Sequence, residues 1–140
     1  MTPPVHATAV ARHGTEGWRG VLLRGASGAG KSDLALRLMA EGWRLVGDDY
    51  VHLFASGGRL WAAGPEPIRD RIEARGLGLI SRPALPVSRV ALVVDLSDDT
   101  PERLPEPETV ALAGIEVPRL RLDPRPASAC VIVAAALDRL

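Results

Sequence analysis

Apolar residues in the first part of the chain come in short runs that are separated by glycines and charges. The run GVLLRG at 20–25 predicts a buried strand that ends at a glycine. An amphipathic helix over KSDLALRLMAEG is predicted next, with Gly42 as its C-terminal stop. The apolar face of this helix is formed by Leu34, Ala35, Leu38 and Met39. The start of the chain therefore reads as strand, glycine-rich loop and helix.

Strand-like segments dominate the middle of the chain. WRLVGDDYVHLF at 43–54 predicts a strand or two strand ends, and the SGG turn after it leads into RLWAA, which indicates a hairpin. The segment PEPIRDRIEARGLGLI at 65–80 is ambiguous, because its isoleucines are spaced for a helix while its glycines oppose one. No single element is predicted for that segment.

The second half continues with strands and closes with a helix. RVALVVDL at 89–96 predicts a buried strand, and the proline- and acid-rich segment 97–108 predicts an exposed loop. Residues 109–122 predict a second hairpin, and a helix with Ser128 as its N-cap is predicted to end the chain. One early helix, one late helix and many strands do not match the regular alternation of a doubly wound sheet.

Composition narrows the function classes. The chain has 140 residues, of which 46% are hydrophobic, so residues 1–140 are expected to form one globular domain. A formal net charge of +0 argues against nucleic-acid or membrane-surface binding, and the apolar runs are too short to span a bilayer. The N-terminus lacks the pattern of a signal peptide, and Cys130 reads as a buried, inert thiol. These features together predict a cytoplasmic protein.

The glycine-rich segment carries the strongest motif in the chain. Lys31 is the only lysine among 17 lysine and arginine residues. It belongs to a complete G-x-x-x-x-G-K-[ST] motif, which lies after an apolar strand and before an amphipathic helix. The motif consists of Gly25, Ala26, Ser27, Gly28, Ala29, Gly30, Lys31 and Ser32. Such a loop binds phosphates through backbone N–H groups and the lysine ammonium, and its last hydroxyl can bind Mg²⁺. The sequence therefore predicts ATP and Mg²⁺ as cofactors.

Two sets of carboxylates are candidates for the metal and the chemistry. Asp95 ends the strand VALVVD, which is where an ordinary P-loop NTPase holds Mg²⁺, although an aspartate there can equally be a plain strand end. Asp48 and Asp49 follow the strand after the P-loop helix. Adjacent carboxylates repel each other, so the pair indicates a role beside a phosphate-bound cation, while a turn before a hairpin is the simpler alternative.

Three motifs in order give the chain a family resemblance. GASGAGKSDLALRLMAEGWRLVGDDYV followed by RIEARGLGLI resembles the C-terminal catalytic domain of HPr kinase/phosphorylase, which has a P-loop, an Asp-Asp pair and an E-x-R-G-x-G-I signature. The resemblance extends from about His6 to the C-terminus. It implies a fold of the α/β class with α+β-like features. This fold is a P-loop kinase domain related to phosphoenolpyruvate carboxykinase, with mixed and antiparallel sheets around the P-loop helix.

The resemblance implies roles for the acidic and P-loop residues. Lys31 and Ser32 match the residues that bind triphosphate and Mg²⁺. Asp49 matches the carboxylate that accepts the proton of the target serine hydroxyl, and Asp48 matches its partner, which is also a candidate for the metal. Glu73 matches the second metal-site residue.

The same resemblance assigns further residues around the site. His6 matches an upstream histidine of the active site, although a structural role in a terminal strand is the alternative. Arg75 and Gly76 belong to the signature, and Arg103 resembles a catalytic arginine in a gapped part of the alignment. Arg125 matches the start of a late arginine loop.

Activity and partners follow from the family. The resemblance implies an ATP-dependent serine kinase that phosphorylates a small HPr-like phosphocarrier protein and regulates carbon or nitrogen metabolism through the phosphotransferase system. Full-length relatives form hexamers and carry an additional N-terminal domain, so a short form that forms homo-oligomers is the expectation. The late loop reads PRPASA, and Ser128 stands where the family has a second arginine. Because that loop is linked to dephosphorylation, the kinase half of the family's two activities is implied more directly than the phosphorylase half.

The motifs by themselves are also compatible with three other functions. A nucleotide or metabolite kinase shares the P-loop, but such enzymes usually have several more helices and an arginine-rich lid. A non-catalytic nucleotide-dependent switch would use Asp95 for its metal. A paralogue that regulates only by binding is a third alternative.

Overall fold

A mixed sheet surrounds the helix that follows the P-loop. The computed structural model describes residues 3–140, which form eleven strands, two α-helices and a short 3₁₀ helix at Glu66–Ile68. The α-helices are Lys31–Ala40 (α1) and Ala129–Asp138 (α2). The strands are Val5–His6 (β1), Thr8–Gly14 (β2), Gly17–Arg24 (β3), Arg44–Gly47 (β4), Tyr50–Ser56 (β5), Arg59–Ala63 (β6), Arg71–Ala74 (β7), Gly78–Ser81 (β8), Ser88–Leu96 (β9), Glu108–Leu112 (β10) and Ile115–Leu122 (β11).

Strand β9 is the centre of the large sheet. It pairs in parallel with β3 along one edge and with β11 along the other, and its first residues pair antiparallel with β6. The sheet continues outward as β3–β2–β4 on one side and as β6–β5–β1 on the other, and all of these pairings are antiparallel. Strands β7 and β8 form a separate hairpin. This mixture confirms the predicted α/β class with mixed and antiparallel strands.

Both faces of the sheet are covered, which explains the nearly continuous apolar runs in β3 and β9. Alternate residues of β3 face opposite sides, so Val21 and Leu23 pack with the two helices while Leu22 packs on the other face. The central strands are apolar at successive positions because both faces are removed from water. The same two-sided burial accounts for Val93 and Val94 in β9, which are both fully buried.

Helix α1 ends where the sequence predicts. Gly42 has φ +97°, and its N–H donates to the carbonyl of Met39, while the N–H of Trp43 donates to the carbonyl of Leu38. These two bonds form a Schellman motif, in which a left-handed residue closes the helix. The side chains of Trp43 and Leu38 are both buried in the helix-side core, so the motif also directs the chain back toward the sheet.

The structure resolves the segments that the sequence left ambiguous. Segment 65–80 forms the 3₁₀ helix and the β7–β8 hairpin, whose turn is permitted by the positive φ of Gly76. The segment 43–54 is two strands separated by Asp48 and Asp49. The N-terminal strands β1 and β2 were not among the predicted elements. β1 has only two residues, and the apolar part of β2 is the short, small-residue run Ala9–Ala11, so neither strand has a strong hydrophobic signal of its own.

Helix α2 differs from expectation at its start. Ser128 occupies the N-cap position, but within residues 3–140 its hydroxyl makes no capping hydrogen bond and its backbone is already helical. The predicted N-cap position of Ser128 is therefore confirmed, whereas its hydroxyl does not cap the helix, because capping needs an extended backbone that brings the hydroxyl back to the first N–H groups. Cys130 lies in α2 and is buried, as predicted, and this burial raises the pKa of its thiol. Neither helix formed by residues 3–140 has the length and hydrophobicity that a bilayer crossing requires.

Candidate active site

Three parallel strands end at one edge of the sheet, and their loops form a cleft. The loop after β3 is the P-loop, the loop after β9 begins with Ser97 and Asp98, and the loop after β11 contains Pro124 and Arg125. Because parallel strands carry their carboxyl ends to the same edge, loops far apart in sequence meet there. The cleft has a volume of about 1010 Å³ and is completed by residues of the β7–β8 hairpin.

The P-loop has the conformation that its glycines allow. Gly28 and Gly30 adopt positive φ values of +82° and +103°, in the region that favours glycine. Gly30 is the N-cap of α1, so the helix begins at Lys31 and presents its first N–H groups toward the cleft. A side chain at Gly25 would lie 3.0 Å from Cβ of Ala29, which explains the need for glycine at the first position. The loop is therefore a site for anions at a helix N-terminus.

Lys31 is nearly buried within its own loop. Its ammonium donates to the carbonyl oxygens of Gly25 and Ala26 at 2.8 and 3.1 Å, and the residue is 6% exposed. These bonds satisfy two of the three ammonium donors and hold the charge beside the cleft wall. The lysine that is unique in the sequence thus supplies a fixed positive charge at the phosphate-binding loop.

Asp48 links the P-loop helix, the sheet and the hairpin. Its Oδ1 accepts hydrogen bonds from the hydroxyls of Thr8 at 2.9 Å and Ser32 at 2.7 Å, and its Oδ2 accepts the N–H of Glu73 at 3.1 Å. The residue is 8% exposed, so these donors replace the water that a carboxylate loses on burial. Asp48 therefore sits beside Ser32, as the sequence predicted, and orients it.

Asp49 is exposed, whereas its neighbour Asp48 is buried. Its φ of +69° is in the left-handed region, which turns consecutive side chains in different directions. Asp49 lines the cleft, and its Oδ1 lies 2.8 Å from Nε2 of His6. Since a carboxylate only accepts, the bond requires that His6 carries its proton on Nε2. His6 and the Asp-Asp pair, 43 residues apart in sequence, are thus brought together by the pairing of β1 with β5.

The hairpin and the late loop bring charges of both signs to the cleft. Glu73 and Arg75 of the predicted signature line it, and Gly76 forms the adjoining turn. Arg125 also lines it, held by two hydrogen bonds to Asp123 of 2.9 and 3.0 Å. The hydrogen bond from Arg125 holds the pKa of the Asp123 carboxyl below its usual range and raises that of the guanidinium. The cleft therefore combines Lys31, Arg75 and Arg125 with the carboxylates of Asp49 and Glu73.

Arg103 is not brought to this site. It is exposed in the loop between β9 and β10, and the cleft-lining residues found within 3–140 do not include it. Its predicted catalytic role has no support from this geometry. The loop is rich in proline and acidic residues, as predicted, and makes few contacts that would fix its position.

Asp95 is paired with two arginines. The Arg24 guanidinium binds both oxygens of Asp95, at 2.7 and 2.9 Å, and Arg119 also donates to Oδ2. Burial alone would raise the pKa of Asp95, but the hydrogen bonds from both arginines outweigh it and the pKa lies below the ordinary value. Both carboxylate oxygens accept hydrogen bonds from guanidinium groups. This arrangement gives no support to the alternative in which Asp95 holds the metal.

Several residues of the site were not identified from the sequence. Thr8 binds both members of the Asp-Asp pair, and Ser97 and Asp98 form part of the cleft wall. Arg37, one turn along α1 from Asp33, lines the cleft and donates to the backbone of the late loop. No motif marks these positions. Only the proximity of Thr8 to His6 in the chain was a usable signal.

The fold and the P-loop geometry define the class of protein, which is a P-loop nucleotide-binding domain with an acidic pair at its phosphate site. The chain belongs to the family described as the HPr Serine kinase C-terminal domain, whose model matches residues 5–139.

Similar proteins agree with this assignment. HPr kinase/phosphorylase of Geobacillus thermodenitrificans is 36% identical over 98% of this chain and 48% of the relative. HPr kinase/phosphorylase of Streptococcus thermophilus is 36% identical over 85% of this chain and 43% of the relative. The chain thus spans about half the length of the curated relatives it matches.

A solved structure shares the fold. The solved structure of the Hpr(Ser) kinase/phosphatase from Coxiella burnetii matches with a TM-score of 0.82, and the match covers 99% of this chain and 95% of that structure's chain. Its sequence identity is 23%, so the likeness concerns the fold alone. The mixed sheet and the P-loop helix are therefore an established arrangement.

Proposed function

We propose that residues 1–140 form one catalytic domain of an ATP-dependent protein serine kinase, and that its substrate is a small HPr-like phosphocarrier protein. The observation that carries the proposal is that the P-loop and Asp49 line one cleft. A phosphoryl donor and an acceptor hydroxyl must meet in such a cleft for transfer between them. The names of the relatives support HPr as the acceptor, and family membership favours a protein over a nucleotide or metabolite.

The phosphate chain of ATP would lie along the P-loop. The N–H groups at the start of α1 and the Lys31 ammonium supply positive charge where the β- and γ-phosphates would be held. Arg75 and Arg125 reach the same cleft and add two cations. Phosphoryl transfer depends mainly on alignment and charge neutralisation, and this set of groups supplies both.

The residues near Ser32 fit a magnesium ion. The Ser32 hydroxyl, the Asp48 carboxylate and the nearby Glu73 offer hard oxygen ligands, which Mg²⁺ prefers. Among residues 3–140 no group of three or more acidic, histidine or cysteine side chains is arranged to hold a metal. Mg²⁺ at a phosphate site takes most of its ligands from phosphates and water. When bound, it supplies neutralisation of the charge on the transferred phosphoryl group.

Asp49 is the proposed acceptor of the serine proton. His6 occupies one of its carboxylate oxygens, and the second oxygen has no hydrogen-bond partner among residues 3–140. That free oxygen is available to a hydroxyl in the cleft. An aspartate is a weak base, but in a dissociative reaction the proton leaves late, so orientation of the hydroxyl is the main requirement.

The late loop, which contains Arg125, supports kinase activity more than phosphorylase activity. Arg125 reaches the cleft, whereas Ser128, at the position of the second arginine, is at the start of α2. The kinase activity is therefore the activity proposed here. The proposed place of action is the cytoplasm, where ATP is available, and self-association like that of full-length relatives remains a prediction.

The test is transfer of labelled γ-phosphate from ATP with Mg²⁺ to purified HPr. We expect label on a serine of HPr, located by mass spectrometry, and none on HPr in which that serine is replaced by alanine. Asp49→Asn is expected to bind ATP as the unaltered protein does and to lose at least about 100-fold in transfer rate. The matched control is Asp138→Asn, which changes an exposed carboxylate of α2 that pairs with Arg12 and is not among the cleft-lining residues found within 3–140.

Three outcomes would contradict the proposal. Label on a small molecule in a cell lysate, with none on HPr, would indicate a metabolite kinase. Slow hydrolysis alone, with no phosphorylated product, would indicate a nucleotide-dependent switch. Unchanged transfer by Asp49→Asn would remove the role assigned to that carboxylate.

A further inference from the structure

Thr8 is a fully buried hydroxyl that contacts both members of the acidic pair. It is the first residue of β2 and is 0% exposed. Its Oγ1 donates to Oδ1 of Asp48 at 2.9 Å and accepts the N–H of Asp49 at 3.2 Å. A hydroxyl has one proton to donate and accepts through its lone pairs. Both capacities are therefore used by two consecutive residues of the site.

Asp49 is held by three consecutive residues of the N-terminal segment. His6 contacts its carboxylate, the N–H of Ala7 donates to its carbonyl at 3.0 Å, and the hydroxyl of Thr8 accepts its N–H. The φ of +69° is one that non-glycine residues rarely adopt, so it persists only where surrounding contacts fix it. The contacts from residues 6–8 fix it together with a hydrogen bond of 2.8 Å that the N–H of Tyr50 donates to the carbonyl of Asp48.

Thr8 also acts on the P-loop side of the site. Oδ1 of Asp48 receives the hydroxyls of Thr8 and Ser32 together, and the two donors approach from β2 and α1. Removing one donor frees a lone pair on a buried oxygen and changes the orientation of the carboxylate that Ser32 contacts. One hydroxyl thus connects the backbone of Asp49 to the Ser32–Asp48 pair.

We propose that Thr8 is a positioning residue of the phosphoryl-transfer site, which acts by fixing the left-handed backbone of Asp49 and the orientation of Asp48 through a single hydroxyl. The inference rests on the proposed function for its kinetic consequence. Its structural consequence, a link between Thr8 and Ser32 through the carboxylate of Asp48, can be measured without any protein substrate.

The kinetic test compares Thr8→Val, which keeps the shape and removes the hydroxyl, with Thr8→Ser, which keeps the hydroxyl. Thr8→Val is expected to lower kcat for phosphorylation of HPr by roughly 100-fold, since small misplacements of reacting groups have effects of that size. The KM for ATP with Mg²⁺ is expected to rise by no more than about tenfold, because Ser32 is the one P-loop residue that Asp48 contacts through its side chain. Thr8→Ser is expected to retain the wild-type kcat.

Ser88→Ala is the matched control for the loss of a buried hydroxyl. Ser88 is 3% exposed and lies at the start of β9, at the opposite end of that strand from the cleft. It is expected to lower Tm to a similar extent as Thr8→Val while leaving kcat unchanged. A matching loss of kcat in Ser88→Ala would overturn the proposal, because general destabilisation would then explain both variants.

A second measurement separates this proposal from the proposed function. Mg²⁺ is expected to increase ATP affinity in calorimetry, and Thr8→Val is expected to reduce that increase by about tenfold, because Ser32 and Asp48 are no longer aligned. Thr8→Ser is expected to preserve it. If the unaltered protein transfers nothing to HPr but this pattern appears, the proposed function fails and the role of Thr8 stands.

Two results would overturn the role of Thr8. One is a Thr8→Val protein with both the wild-type kcat and the wild-type response to Mg²⁺. The other is failure of Thr8→Val and Thr8→Ala to fold under conditions in which Ser88→Ala folds, since the hydroxyl would then be required only for stability.

Discussion

The guanidinium of Arg24 binds the carboxylate of Asp95 through two hydrogen bonds of 2.7 and 2.9 Å, directly beside the first glycine of the P-loop. Arg24 ends β3 and Asp95 lies opposite it in parallel register on β9. The pair therefore joins the two strands whose loops form the cleft. A guanidinium that donates to both oxygens of a carboxylate forms a strong and directional ion pair. This ion pair fixes the position at which the P-loop begins.

Replacement of Asp95 by asparagine is expected to destabilise the protein by about 2 kcal/mol at pH 7, because two partly buried arginines lose their shared carboxylate. The pKa of Asp95 is below its ordinary value in the folded state, so its contribution to stability is complete above the unfolded-state pKa of about 4. It is lost as pH falls through the lower folded-state pKa. Urea denaturation of both proteins across pH 7 to 2 measures this difference.

Asp138→Asn is the control for this experiment, since Asp138 pairs with Arg12 but its side chain is 64% exposed. An exposed ion pair contributes only about 0–1 kcal/mol, so little change with pH is expected. A difference between unaltered protein and Asp95→Asn that stays constant down to pH 2 would contradict the role of the ionised carboxylate.

Replacement of Lys31 by alanine is expected to weaken binding of ATP with Mg²⁺ by roughly 10- to 100-fold, which corresponds to the loss of one charge-assisted contact. Lys31→Arg tests whether charge alone is sufficient. A guanidinium keeps the charge but is too large for the two carbonyl contacts with Gly25 and Ala26. We expect it to restore little affinity. Calorimetry on both variants gives the measurement, and wild-type affinity in Lys31→Ala would be inconsistent with a P-loop nucleotide site.

Replacement of Gly47 by alanine is expected to destabilise the protein by about 1–3 kcal/mol through overpacking. A Cβ at this position would lie 2.7 Å from Cγ1 of Val51 and 3.0 Å from Cα of Gly64. The displaced backbone leads directly into Asp48, so a lower rate of phosphoryl transfer is expected as well. Gly14→Ala is the control, because a Cβ there meets nothing within 4 Å. Equal Tm values for the two variants would argue against close packing at Gly47.

Replacement of His6 by alanine is expected to lower the transfer rate roughly 10-fold without changing ATP affinity, because the Asp49 carboxylate loses the hydrogen bond that orients it. His6→Gln, which offers an amide donor, is expected to recover part of the rate. The control is His13→Ala, at the exposed far end of β2. Steady-state kinetics with HPr provides the test, and an unaffected rate in His6→Ala would assign that histidine a structural role.

The local structure of the P-loop and of the apolar strands could be predicted from the sequence. The spacing of Gly25, Gly30 and Lys31 predicts a strand–loop–helix unit, since positive φ and close backbone approach require glycine there. Gly42 likewise predicted the end of α1. These features depend on interactions within a few residues, so a short stretch of sequence contains all the information they need.

The role of each carboxylate was decided by the tertiary structure. Asp95 lies at the end of an apolar strand and Asp49 lies just after one. Yet Asp95 is held by Arg24 and Arg119, whereas Asp49 faces the cleft beside His6. Their partners come from other strands, 24 to 71 residues away along the chain. The sequence by itself predicted a phosphate-binding loop that ends at Lys31 and Ser32. Only strand pairing, which brings distant residues together, determined which acids accompany it and that Thr8 holds them.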